Sequence, residues 1–326
     1  MKKTFALVLA FLLLFGSMSS FADGESSDKQ VKNMVVVGDF TATGYGSDIS
    51  TVPSFAHISA EKLGLKYKES SFYFGSDSLT LDTLDAALGE DVIGQISKAD
   101  TVVVSVGNGD LQKAILPKIS AALGLGETFS PSDTVNALAT LPEEKLEGAI
   151  SALKTIYGDN KESFEALTKS IGEKCGEAAK KIKTASPNAQ IFFVGVYDPF
   201  ADMPNYTLVN TLRSELTSKL VSNINETLAD TGKSEGFHVL NTASEFSGRK
   251  QTCVAADGSY FYLTEFGHTV LADALVYEIT NVYNAINGGS DTPNDPTDVW
   301  LYFSIALAAV LACVPVIVFV AKKSKK

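Results

Sequence analysis

Short apolar runs alternate with stretches of helical periodicity along the middle of this chain. Met34 to Val37, Thr101 to Val106, Ile191 to Val196 and, more weakly, Phe237 to Leu240 are compact and rich in Val, Ile and Phe, the pattern of strands covered on both faces. Helical spacing of apolar positions recurs at Ser54 to Leu63, ahead of the C-cap residue Gly64, at Glu144 to Tyr157, at Lys161 to Thr184 and at Leu271 to Ile286. Strands separated by helices predict an α/β fold, a parallel sheet with helices on both faces. Residues 111–186 hold Leu116-Pro117, Leu141-Pro142 and several amphipathic pieces, and are expected to form a helical insertion and the crossover back to the sheet.

The two ends have a different pattern. Residues 1–22 carry Lys2 and Lys3, an apolar run from Phe5 to Phe15 and Ser20-Phe21-Ala22, the order of charge, hydrophobic run and small residues found in a secretory signal peptide. Val299 to Ala321 has no charged residue, and at about 1.5 Å per residue it matches the roughly 30 Å of a bilayer core. Trp300 and Tyr302 precede the core of that run, and Lys322, Lys323, Lys325 and Lys326 follow it, so one transmembrane helix is expected with a basic cytoplasmic tail at 322–326. Residues 32–286 then form one exported domain, held off the membrane by the Gly-, Asp- and Pro-containing linker 287–298.

Composition narrows the partners. The chain has 326 residues, 45% of them hydrophobic, enough for a substantial core. Six of its 27 Lys and Arg residues lie in the two ends, leaving 21 against 38 acidic residues, an excess of 17 negative charges on the exported part. Nucleic acid and anionic lipid are poor partners for such a surface. Cys313 falls in the expected anchor, while Cys175 and Cys253 could pair or stay as buried thiols. No metal-ligand spacing occurs, so neither a metal nor a cofactor is expected. Gly232-Lys233-Ser234 lacks the first glycine of a phosphate loop, and Asn205-Tyr-Thr207 and Asn225-Glu-Thr227 fit the glycosylation sequon.

Candidate chemistry starts where the first strand ends, at Gly38-Asp39-Phe40. The segment resembles the first block of the SGNH or GDSL-type hydrolases, in which Gly-Asp-Ser opens the active-site loop. Ser54 to Gly64 looks like that family's first helix, Gly75 falls near its oxyanion glycine, and Val104-Ser-Val-Gly107-Asn108-Gly109-Asp110 is similar to its third block. Pro187 to Phe200 resembles the fourth strand and its loop, and Asp257-Gly-Ser-Tyr260-Phe-Tyr262 through Gly267-His268 resembles the last block, usually Asp-x-x-His-Pro-Thr-x-x-Gly-His. The resemblance implies a flavodoxin-like three-layer α/β/α fold and an ester-hydrolysing ancestry.

It also implies a degenerate site. Phe40 stands at the nucleophile and cannot attack an acyl carbon; Tyr260 or Tyr262 stands at the catalytic histidine, with a pKa near 10 that suits no general base at neutral pH. Asn108 and Gly109 are exchanged relative to the oxyanion donor, and Asn108, at a strand end, is expected to turn its amide away. Asp39, Gly75, Asp110 and Asp257 keep the frame. The expectation is a membrane-anchored, outward-facing pseudo-hydrolase in which Phe40, Tyr260 and Tyr262 line an aromatic pocket for a glycan, lipid or peptide, or in which Phe40 only fills the space of the lost site. The alternatives are an active esterase on surface glycan or lipid esters, using Thr41 with His268, and a structural surface module that contacts a partner protein through 111–186.

Overall fold

A computed structural model describes residues 31–44, 53–257 and 260–287. The signal peptide, most of the linker, the membrane span and the basic tail expected from the sequence lie outside the described residues, among which no helix is long and apolar enough to cross a membrane. The fold described below occupies the unit Gln30–Thr280; the second unit, Met1–Lys29 with Asn281–Lys326, is described only at 281–287, the end of the last helix.

Five parallel strands form the sheet: β1 (Met34–Gly38), β2 (Ser71–Gly75), β3 (Thr101–Ser105), β4 (Gln190–Val194) and β5 (His238–Leu240), in the order β2-β1-β3-β4-β5. This is the flavodoxin-like order. Every residue of β1 and β3 is buried, as their Val-rich runs require. Helices α1 (Phe40–Thr43) and α2 (Phe55–Lys62) follow β1, and α3 (Leu84–Ala87) and α4 (Glu90–Ile96) follow β2. Between β3 and β4 run α5 (Asn108–Ala122), α6 (Pro131–Thr140), α7 (Glu143–Asp159) and α8 (Lys161–Ala185). After β4 come α9 (Thr207–Leu212), a π-helical turn at Arg213–Thr217 and α10 (Ser218–Glu235). The chain after β5 forms α11 (Thr242–Phe246), the antiparallel hairpin β6 (Val254–Asp257) and β7 (Tyr260–Leu263), and α12 (Glu265–Ile286).

The crossover from β1 to β2 runs along the sheet in the opposite direction to those from β3 to β4 and β4 to β5, so right-handed connections put their helices on opposite faces. On one face α2 meets α12, where Lys62 pairs with Asp273 and the Phe55 N–H donates to His268 Nδ1 at 3.2 Å. On the other, α8 packs on α10 so closely that a Cβ at Gly172 would lie 2.8 Å from Thr227 Cγ2. Several elements differ from the sequence expectation, among them β2 and α12. Strand β2, Ser-Phe-Tyr-Phe-Gly, was not anticipated, because an edge strand with one well-buried residue carries no long apolar run. Helix α12 begins at Glu265 rather than Leu271, because Thr264 accepts the His268 N–H and bonds the Gly267 N–H, supplying the start that the sequence pattern hid.

Candidate functional site

The carboxyl ends of β1 and β3 carry the segments singled out in the sequence. Gly38 ends β1 beside Ser105, and a Cβ on it would come within 2.5 Å of Ala42 Cβ, so the turn into α1 is as tight as glycine permits. The Asp39 N–H donates to Ser105 O at 2.8 Å, and Asp39 Oδ1 accepts the Thr41 N–H at 3.0 Å, capping α1. Oδ2 of the same carboxyl has no hydrogen-bond partner among the described residues. Burial pushes the Asp39 pKa up to about 7, against the opposing pull of Thr41 and with a small push from the nearby Asp110 carboxylate.

Phe40 is fully buried. Its ring stacks on Tyr260 with centroids 4.6 Å apart and 16° between planes, and meets Tyr262 edge-on at 5.1 Å. A Cβ at Gly109 would touch Phe40 Cε1 at 3.5 Å, so that glycine floors the ring. The positions read as nucleophile and base are thus in contact, and the contact is between aromatic rings. Phe40 fills the space rather than lining an open pocket, the second of the two arrangements that the sequence left open. Tyr262 is buried as well, whereas Tyr260 is half-buried and faces a cavity of about 340 Å³ bordered by Gln112, Leu116, Phe129 and Pro131.

Asn108 departs from expectation. It is the first residue of α5, not a strand end, because Gly107 with φ 105° turns the chain sharply after β3. Its amide Nδ2 points to Thr41 Oγ1 at 3.5 Å, and its Oδ1 accepts the Tyr197 N–H at 3.1 Å, so the side chain ties the α1 turn to the loop after β4 rather than turning away. The Tyr197 hydroxyl donates to Phe261 O at 2.7 Å; Gln112 donates to the same carbonyl at 3.1 Å and accepts the Phe261 N–H at 2.7 Å. These bonds clamp the β6–β7 hairpin over the strand ends. Burial holds the Tyr197 pKa well above its usual value, which suits a hydroxyl that donates and never ionises. Neither Tyr197 nor Gln112 was singled out in the sequence, since each looks like an ordinary helix or loop residue there.

Of the other residues read from the sequence, Gly75 ends β2 opposite Gly38, exposed, with Thr43 against it. Asp110 accepts the Leu81 N–H at 3.2 Å, and burial raises its pKa. Asp257 closes β6 opposite Tyr260. Thr41 is fully buried, with Asn108 on its hydroxyl. His268 is also fully buried, and the lone pair of its Nδ1 is taken by the Phe55 N–H, which makes it a cap for α2 rather than a base beside Thr41. A hydroxyl–imidazole contact does exist elsewhere: Ser54 Oγ lies 2.9 Å from His57 Nδ1. Ser54 is the buried N-cap of α2 and also accepts the His57 N–H at 3.4 Å, while the exposed His57 ring packs on Tyr73, with centroids 4.3 Å apart. Cys175 and Cys253 are free and buried and form no disulfide with each other. Among the described residues no group of His, Cys, Asp or Glu is placed to hold a metal ion.

No protein-family model and no curated protein matches the chain. Its fold is similar to those of solved lipases and acylhydrolases. The lipase Lip_vut3 from a goat rumen metagenome is 16% identical over 74% of this chain and 95% of that one, with a TM-score of 0.47. Phospholipase A1 from Streptomyces albidoflavus NA297 is 11% identical over 76% of this chain and 99% of its own, with a TM-score of 0.48. A GDSL-like lipase from Parabacteroides merdae is 11% identical over 78% and 98%, with a TM-score of 0.46.

Proposed function

We propose that this chain is a non-hydrolytic protein on an SGNH-hydrolase-like scaffold, exported, anchored by residues 299–321 and displaying its domain outside the membrane as a binding or interaction module. The observation that carries the reading is the buried Phe40 ring stacked on Tyr260 where an ester hydrolase needs an oxygen against an imidazole. Loss of a serine nucleophile alone removes on the order of 10⁶-fold in turnover. The clamp of Asn108, Tyr197 and Gln112 keeps the strand ends rigid without chemistry, as suits a scaffold. Its test is steady-state turnover of short-chain aryl esters by the full chain: the rate stays at the buffer blank, and saturable turnover refutes the reading.

One observation favours the second reading, an active acyl hydrolase with a displaced nucleophile. Ser54 and His57 are in contact at 2.9 Å. Against it, Ser54 is 1% exposed and its hydroxyl serves as a helix cap. Turnover that disappears in Ser54→Ala and His57→Ala would decide for it.

A further inference from the structure

A large cavity lies away from the Phe40 cluster. It has a volume of about 890 Å³ and lies beyond the carboxyl ends of β4 and β5, between the loop 198–205, α10 and the segment 241–249. Neither Phe40, Tyr260 nor Tyr262 lines it. Crevices outside the carboxyl ends of strands are where open α/β sheets take ligands, and this volume is in the range of small-molecule sites.

One of its walls is tied together by a dense set of hydrogen bonds. The π-helical turn between α9 and α10, a device that concentrates at functional sites, presents Arg213 and Thr217 to the loop after β4. Arg213 donates from Nε and Nη2 to Phe200 O at 3.0 and 2.6 Å, and from Nη2 to Ala201 O and Met203 O. Thr217 donates to the buried Asp198 carboxylate at 2.7 Å, and Asp198 also accepts the Phe200 N–H. The loop is therefore fixed before any ligand arrives, which lowers the entropic cost of binding.

Four side chains on this cavity share one arrangement: one end is held by the protein and the other has no partner among the described residues. Asp202 Oδ2 accepts the Cys253 and Val254 N–H groups, leaving Oδ1. Asn205 Oδ1 accepts from Arg213, leaving Nδ2. Asn241 Oδ1 accepts the Ser244 N–H, leaving Nδ2. Arg249 is held by Glu245 through Nε and Nη2, leaving Nη1. Planar groups anchored in this way offer oriented donors and an acceptor to the same ligand. Asp198, Asp202 and Glu226 line the cavity together with Arg213 and Arg249, so neither a bare anion nor a bare cation is favoured. A ligand whose groups both donate and accept, without net charge, satisfies all four.

We propose that this cavity is a binding site for a neutral saccharide, its vicinal hydroxyls held by Asp202, Asn205, Asn241 and Arg249. The site is independent of how the Phe40 cluster is read. The test is calorimetric titration of the full chain, in a detergent without a sugar headgroup, with maltotriose, cellotriose and chitotriose. At least one binds in the micromolar to millimolar range, and Asn241→Ala with Arg249→Ala weakens it by at least about tenfold, as loss of hydrogen bonds from an amide and a cation should. Both residues are exposed, and unchanged circular dichroism and melting confirm that the variant is folded. Tyr260→Ala leaves the affinity unchanged. No binding of any of the three sugars by folded wild type, binding that survives the double substitution, or binding lost in Tyr260→Ala overturns the proposal.

Discussion

Replacing Asp39 by Asn tests whether the turn below Phe40 is dry. The Asp39 carboxyl is fully buried and titrates at about 7, against 3.8 for a free side chain. In the folded protein its neutral form is favoured. Below pH 3.8 both folded and unfolded chains hold the proton and the group contributes no pH dependence. As pH rises from there to about 7 the unfolded chain ionises while the folded one does not, so stability falls, and above about 7 it stays at the lower level. At about 1.4 kcal/mol per pH unit of separation, the loss across this window is up to about 4 kcal/mol. Asn keeps the cap on the Thr41 N–H and cannot ionise. Urea unfolding of both proteins from about pH 4 to about pH 9 isolates the effect, because Asp198, whose pKa burial also raises, titrates in both and cancels in the difference, and the neighbouring Asp110 adds only its small coupling to Asp39. The stability of Asp39→Asn relative to wild type rises with pH through this window. A difference that stays flat, or one that moves in favour of wild type, means that water reaches the carboxyl and that the aromatic cluster does not seal the turn.

Two further outcomes follow from the packing. Phe40→Ala removes a fully buried ring and its contacts with two aromatic partners, and lowers stability by about 3–5 kcal/mol in the same unfolding assay, a large part of the roughly 5–15 kcal/mol that holds a typical domain; a loss below about 1 kcal/mol would mean that the ring is not packed as described. Cys175 and Cys253 are buried thiols whose pKa values burial raises, that of Cys253 to about 11, so in a Cys313→Ser background a disulfide-exchange reagent modifies neither residue in the native protein and both in urea, whereas rapid native labelling would place a thiolate at the surface.

How much of this was legible in the chain depended on burial. Strands β1, β3 and β4 announce themselves because the centre of a parallel sheet excludes water from both faces, and Val35–Val37, Val102–Val104 and Ile191–Val194 have no polar alternation to hide them. The edge strand β2 and the hairpin β6–β7 carry Ser, Tyr, Ala and Asp among their apolar residues, and nothing in Ser71 to Gly75 separates a half-covered edge from a loop. The site was legible in part for a related reason. Phe40, Tyr260 and Tyr262 could be named from the blocks around them, but not the stacking that joins residues 220 positions apart in the chain. The Asn108 amide was misjudged because a single positive-φ glycine, Gly107, converts an apparent strand end into a helix start. The 890 Å³ cavity left no trace in the pattern at all, since the free ends of Asp202, Asn205, Asn241 and Arg249 arise from which of their atoms the backbone happens to occupy.

On the proposed reading, the strand ends present aromatic rings and no activated hydroxyl. Exposure of the full chain to a fluorophosphonate, read by intact-protein mass, tests it most directly, with Thr41→Ala and Ser54→Ala alongside. The mass of the wild-type chain stays unchanged after prolonged incubation. A single stoichiometric phosphonyl adduct, formed rapidly and abolished by either substitution, would contradict it.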